Sequence, residues 1–356
     1  MAETDLLCIG NAIVDVFINV DAGYMDRQGI REPIQHIPRE QADLIIGESL
    51  SGGGAPVFCS GGGAANVAKI TALLNMSAAF TGCTGQDELA AVFEKDIMDA
   101  GVLPFLTRGT EKTGVCLVLS DTEETRIAAS PGAALELTDA DVREDLLDNT
   151  DMVVFDGYML ERRSLVQRIL QLANRHGIPV ALDAASVFQI REKTEEILHY
   201  SRNYPLIIFM NADESIVFYN TIRKTSQAAD IRNEQEKEGM ILRDICPILK
   251  LITDGEIFPI FVVKLGSRGA VVVAGGTIYR EETFAVSSRN TMGAGDAFSA
   301  AFLSAWIRGK SLSECASMGN KVAREILEAP GTRIEADKLK AFSKQLKPCS
   351  RHQDRQ

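Results

Sequence analysis

The sequence contains no apolar run approaching the roughly 18 residues that a membrane-spanning helix needs, so no such segment is expected. Its opening, MAETDLLCIGNAIVDV, is acidic and lacks the basic stretch that begins a secretory signal, which points to a cytoplasmic protein. Positive charge is scarce: 37 Lys and Arg stand against 49 Asp and Glu, a net charge of -12. Basic residues such as Arg162, Arg163 and Arg351 are scattered, so neither nucleic acid nor an anionic membrane is an expected partner. The seven cysteines (Cys8, Cys59, Cys83, Cys116, Cys246, Cys315 and Cys349) form no CxxC pair and have no histidine at ligand spacing. That argues against a zinc site or a disulfide framework and for a reducing compartment, where a thiol behaves as a small hydrophobe. Internal repeats and low-complexity tracts are also missing.

What is present is material for a large core. The chain has 356 residues, 46% of them hydrophobic, which suits one large α/β domain with an appendage or two domains. Short apolar runs recur at 6–10, 78–83, 114–120, 152–158, 179–184, 206–213, 260–266 and 270–276. Helical-period segments lie among them at 62–75, 87–100, 139–148, 161–175, 191–201 and 294–308. Strands alternating with helices predict a mainly parallel sheet covered on both faces. Such sheets bind ligands beyond the carboxyl ends of their strands, which singles out Asp15, Asp156, Asp183 and Asn211. Two segments break the alternation. Residues 14–38 read as two extended pieces around a short helix, and 105–127 as a hairpin turning at Asp121–Glu124. They predict a small β lid, with an edge extension of the core as the other reading. The expected organisation is an α/β core of 1–13, 39–104 and 128–346, a lid of 14–38 and 105–127, and a disordered polar tail, 347–356.

Four stretches carry candidate chemistry. In 289-RNTMGAGDAFSAAF-302, Gly293, Ala294 and Gly295 lead through Asp296 into a helix that is apolar nearly all round. The start of such a helix leaves backbone N–H groups unpaired and favours negative charge, so it is either an anion site or a helix that Asp296 merely caps. In 60-SGGGAANVAKITALL-74 a glycine turn again enters a helix, suited to close approach of a hydroxylated small molecule or simply to tight packing. It is not the GxGxxG of a dinucleotide fold, and no GxxxxGK[ST] loop occurs anywhere. In 211-NADE-214, Asn211 and Glu214 could hold hydrated Mg²⁺ or cap a helix. Finally, 264-KLGSRGA-270 brackets a turn with glycines, a plain hairpin or a loop facing a nucleotide.

In this order the four stretches resemble the PfkB/ribokinase family of carbohydrate and nucleoside kinases. SGGGAANVA is similar to the family's N-terminal glycine signature, NTMGAGDAF to its C-terminal DTxGAGD signature, NADE to its NxxE, and GNAIVD to the opening strand. The resemblance runs from about Leu6 to about Arg333; LCIGNAIVDV and TGVCLVLSDTEETR look most like bacterial adenosine-kinase-like members. It implies a ribokinase-like three-layer α/β/α sandwich with a mainly parallel sheet and a small β-sheet lid. It implies an ATP-dependent phosphotransferase, with Asp296 as general base and the N–H groups after Gly293, on Ala294, Gly295 and Asp296, as an anion hole. Asp15, Gly62, Gly63, Asn66 and Arg126 would meet the substrate. Asn211, Lys264, Gly266, Gly269 and Asn320 would meet ATP, and Glu214 with Asn211 would order Mg²⁺ through water. The acceptor is expected to be a nucleoside, adenosine-like first, with a sugar (ribose, fructose or a keto-deoxy acid) as the alternative. A nucleoside-binding regulator that has lost catalysis is a further one. Asn290 and Met292 depart from the signature; with Asn290 in place of Asp, K⁺ dependence is doubtful. A monomer or a homodimer paired through the lids would both fit.

Overall fold

Runs such as VVFD (153–156) and IFVVK (260–264) are apolar on both faces and need cover on both sides, which a central strand provides. The computed structural model describes residues 3–225, 233–254, 259–284, 286, 292–328 and 336–346. Its strands are β1 (Leu6–Ile9), β2 (Ile13–Asn19), β3 (Ile34–His36), β4 (Val57–Gly61), β5 (Ala78–Thr84), β6 (Val102–Arg108) and β7 (Thr113–Ser120). They continue with β8 (Thr125–Gly132), β9 (Val153–Asp156), β10 (Val180–Asp183), β11 (Leu206–Asn211), β12 (Ile260–Lys264), β13 (Ala270–Ala274) and β14 (Thr277–Glu281). Nine form a large sheet in the order β14-β13-β12-β11-β10-β9-β1-β5-β6. The strands from β12 to β6 are parallel, while β13 and β14 return antiparallel at one edge.

Alternate residues of these strands feed two separate cores. Leu6, Cys8, Val154, Ile207 and Phe209 point to one side, where the helices Gly63–Leu73, Ala294–Ile307 and Leu312–Glu328 pack. Leu7, Ile9, Val153, Phe155, Ile208 and Met210 point to the other, under the helices Arg163–Arg175, Val187–Asn203 and Ala212–Arg223. The result is the three-layer α/β/α sandwich expected. The helix Ala294–Ile307 lies deepest: Phe302 is fully buried, 5.4 Å from Phe209 edge to face and 6.2 Å from Phe298. Phe302→Ala should cost about 3–5 kcal/mol, read as a lower denaturant midpoint at unchanged slope. An unchanged midpoint would mean that this ring is not part of the cooperative core.

The remaining five strands form a second sheet, β3-β8-β7-β2-β4. One face (Val14, Val16, Ile18, Val115, Leu117, Leu119) is buried in the first core, while Asp15, Phe17, Cys59 and Cys116 sit half-buried on the other. The β7–β8 hairpin turns as the sequence indicated, with Asp121 N–H donating to Glu124 O at 3.0 Å. The membership of the sheet differs from 14–38 plus 105–127. β6 pairs in parallel with β5 at the edge of the large sheet, where Pro104 needs no inner partner; β4 pairs with β2; and β8 runs on to Gly132. Residues 139–148 form two short 3₁₀ turns rather than a helix, the first closed by a Thr138–Asp141 capping box. The tail 347–356 and Asn290 lie outside the described residues.

Candidate active site

A cleft of about 600 Å³ opens beyond the carboxyl ends of β10, β11 and β12, where Asp183, Asn211 and Lys264 stand. Its far wall is the start of the helix Ala294–Ile307. Gly293 caps that helix with φ 77°, a conformation that glycine adopts without strain. Ala297 is the first residue whose N–H bonds back within the helix, to Gly293 O at 2.9 Å, so the N–H groups of Ala294, Gly295 and Asp296 precede the intrahelical ladder. Ala294, Gly295 and Asp296 all line the cleft.

The Asp296 carboxylate reaches across to the other glycine turn. Its Oδ2 accepts from Asn66 Nδ2 at 2.9 Å, a contact spanning 230 residues of sequence. Burial, helped by the negative charge of Asp183, pushes its carboxyl up to about 6. β4 ends in Gly61, and Gly62 follows with φ 95°; a Cβ on Gly62 would lie 2.3 Å from Asn11 O, and one on Gly61 2.2 Å from the Asp15 carboxyl. A Cβ on Gly63 would meet no clash, lying 3.5 Å from Asp156 Oδ2 and 3.7 Å from Asp296 Oδ1, but those distances put the turn beside both carboxylates. The turn thus gathers three carboxylates, Asp15, Asp156 and Asp296. Burial raises Asp15 to about 6 and Asp156 to about 7. Lys69, one helical turn beyond Asn66 and hydrogen-bonded to Ser60 O, partly offsets the charge of Asp15 and Asp296. Arg162 offsets Asp156 while donating to Asn11 Oδ1 at 2.7 Å and Ala134 O at 2.6 Å.

On the other wall, Asn211 and Glu214 form a reciprocal capping box: Glu214 Oε2 accepts from Asn211 N–H at 2.7 Å, and Asn211 Oδ1 from Glu214 N–H at 2.9 Å. Glu214 still borders the cleft, and burial, with Asp183 nearby, pushes its carboxyl up to about 7. Lys264 Nζ donates to Asp183 Oδ2 at 2.7 Å. Gly266, Gly269 and Asn320 line the same space, Asn320 with its Nδ2 3.4 Å from the carbonyls of Glu281 and Glu282. Arg126 is not brought there. It donates to Asp26 Oδ1 at 2.6 Å and Ile30 O at 2.5 Å, and pairs with Glu124, near the Ser120 end of the second sheet.

Sequence reasoning missed Lys69 and Ser299, and saw Asp183 and Asp156 only as strand ends. A cue for Lys69 was its place one turn after Asn66 on the same helix; nothing local marked Ser299, whose Oγ donates to Asp183 Oδ2 at 2.8 Å.

The chain matches the pfkB family carbohydrate kinase model over residues 34–339. It is 23% identical to an adenosine kinase of Schizophyllum commune over 95% of this chain and 99% of that one. It is 24% identical to a 5-dehydro-2-deoxygluconokinase of Clostridium perfringens over 81% and 83%. Among solved structures it superposes on the adenosine kinase of Sinorhizobium meliloti with a TM-score of 0.79 and 27% identity, covering 97% of this chain and 99% of that one. The glycine turns, the cleft beyond the parallel strands and these likenesses agree: the chain belongs to the pfkB family of carbohydrate kinases, as a carbohydrate or nucleoside kinase.

Proposed function

We propose that the protein moves the γ-phosphate of ATP to a primary hydroxyl of a neutral, hydroxylated acceptor, adenosine or a related nucleoside first, with Asp296 as general base. The observation that carries this reading is the position of the Asp296 carboxylate. It stands at a helix start in the cleft and is hydrogen-bonded to Asn66, on the helix that follows the acceptor-side glycine turn. The N–H groups of Ala294, Gly295 and Asp296 would receive charge developing on the phosphoryl oxygens, and positioning with electrostatics would supply most of the rate. Asp15 and Asn66, with the backbone at Gly62 and Gly63, would hold acceptor hydroxyls. Lys264, Gly266, Gly269 and Asn320 would contact the nucleotide. Arg126 would join only by breaking its pair with Asp26.

Mg²⁺ fits this site as a phosphate-bound, hydrated ion. Among the described residues no group of three or more His, Cys, Asp or Glu is arranged to hold a metal, whereas Glu214 and Asn211 border the cleft and could order its waters. When bound it would neutralise phosphate charge. The second sheet, with Asp15 on its half-exposed face, would act as a lid that keeps competing water away.

Three carboxylates around the acceptor-side turn, beside an Arg162 already hydrogen-bonded to Asn11 and Ala134, favour an uncharged acceptor over a keto-deoxy acid. The test is ADP release from Mg·ATP with adenosine, inosine, cytidine, ribose, fructose and 2-keto-3-deoxygluconate. Turnover with a neutral member is expected. Turnover with the acid alone would overturn the acceptor class, and binding of a nucleoside without turnover would indicate a regulator. K⁺ should change kcat by less than about twofold, because Asn290 lacks the charge of an aspartate; a large stimulation would refute this.

A further inference from the structure

Lys264 sits deep in the cleft, and its surroundings go further than nucleotide contact. The Lys264 and Asp183 side chains are each only 14% exposed, and Asp183 Oδ2 receives both Lys264 Nζ at 2.7 Å and Ser299 Oγ at 2.8 Å. Ser299 lies one turn beyond Asp296 on the same helix. A Cβ on Gly295 would come within 3.5 Å of Lys264 Nζ, which places the ammonium against the helix turn whose N–H groups precede the ladder. Its acidic neighbours are Asp183, Glu214 and Asp296. Burying an ion pair is no route to stability, since desolvation offsets the attraction and apolar residues would pack as well. An ammonium has three N–H donors, and one is directed at Asp183. The arrangement holds a cation at a fixed point on the cleft wall, beside an anion site.

We propose that Lys264 is a catalytic cation for the transferring phosphoryl group, and that Asp183, braced by Ser299, is the residue that positions it. This rests on the phosphoryl-transfer reading above. In the step, a bond forms between the acceptor oxygen and the γ-phosphorus, and the bond from that phosphorus to the β,γ-bridging oxygen breaks. ADP leaves with the electron pair, and the acceptor proton passes to Asp296. Lys264 gives and takes no atom. Its ammonium compensates charge on the γ-phosphoryl oxygens together with the N–H groups of the helix start.

The test compares wild type with Lys264→Met, Lys264→Arg, Asp183→Asn and the double variant D183N/K264M. The readouts are kcat, affinity for ADP, and affinity for ADP with aluminium fluoride, a mimic of the phosphoryl group in transfer. Lys264→Met should lower kcat by about 10²–10³, the range for losing one electrostatic donor. It should weaken the fluoride complex in parallel and leave ADP affinity within about threefold. Lys264→Arg should fall between Met and wild type. Asp183→Asn should lower kcat about tenfold, and the double variant should be no better than Lys264→Met. Recovery of the double variant to near wild type would overturn the proposal, because only a structural pair is relieved by removing both charges. Equal losses of ADP and fluoride-complex affinity would also overturn it. If Lys264→Met does not fold, Asp183→Asn carries the test, and unchanged kcat and fluoride affinity there reject the positioning role. Failure of the transfer reading would look different: wild type itself would turn over no acceptor, while the fluoride measurements would still decide the role of Lys264.

Discussion

Asp296→Asn is expected to lower kcat by about 10²–10⁴, the contribution a general base typically makes, while ADP still binds. Asparagine keeps the shape and can still face Asn66, but it cannot take the acceptor proton. In wild type, kcat/KM for the acceptor should fall on the acid side with an apparent midpoint near pH 6. Asp296 and Asp15 are both raised to about 6 and repel each other, so that limb belongs to the pair rather than to either residue alone. The effect on stability has the opposite sense. Asp296 holds its proton more tightly folded than unfolded, so its favourable contribution is present below about pH 4 and is lost as pH rises through about 6. Above that, burying the ionised carboxylate weighs against the fold. Asp296→Asn should therefore be more stable than wild type at pH 8, by up to ~3 kcal/mol from about two pKa units, and no more stable at pH 4. Loss of activity with raised stability at pH 8 is a combination that a merely misfolded variant does not produce. A kcat within threefold of wild type would remove Asp296 from the role of base.

The second large effect is expected at Gly62. An alanine there meets two obstacles: φ is 95°, which L side chains rarely adopt, and the new Cβ would lie 2.3 Å from Asn11 O, a backbone atom with little freedom to yield. Gly62→Ala should destabilise the protein by about 2–4 kcal/mol and raise the acceptor KM at least tenfold. ADP affinity should change little, because the side of the cleft proposed for the nucleotide is built by other strands. Gly61→Ala makes a useful contrast. Its Cβ would collide with the Asp15 carboxyl rather than with backbone, so the side chain can swing aside. Acceptor KM should rise there with a smaller loss of melting temperature. Equal loss of ADP and acceptor affinity in Gly62→Ala would mean that the turn supports the whole cleft.

The parallel sheet was legible because central strands such as β9 and β10 are short apolar runs with a helical-period segment, 161–175, between them. The assignment of strands to sheets was less so. VFCSG at 57–61 gives no local sign that its partner is β2, some 40 residues earlier. β6 contains Pro104, which weakens its strand pattern, yet an edge position tolerates it. The helices Arg39–Ser51 and Leu312–Glu328 went unmarked; the first is polar enough that only Ala42 and Ile45 are buried. At the site, motifs with local glycine or capping patterns could be found from sequence. Pairings could not: Lys264 meets Asp183 across 81 residues, and Ser299 reaches Asp183 across 116. The helix pattern at 139–148 misled because its acidic residues close short turns as readily as they start a helix.

The strand order also bears on when, during synthesis, the enzyme becomes competent. The second sheet is complete once residue 132 has emerged, and β9 to β14 then add outward one after another in chain order. A ribosome-bound chain ending at β14 would hold every strand of both sheets and the acceptor-side glycines. It would lack Asp296, whose helix must return across the sheet to pack beside the helix Gly63–Leu73. With Asp296 as the proposed base, catalysis would switch on last, through one long closure that joins residue 296 to residue 66, and a nascent chain could carry the proposed acceptor pocket before it could phosphorylate anything.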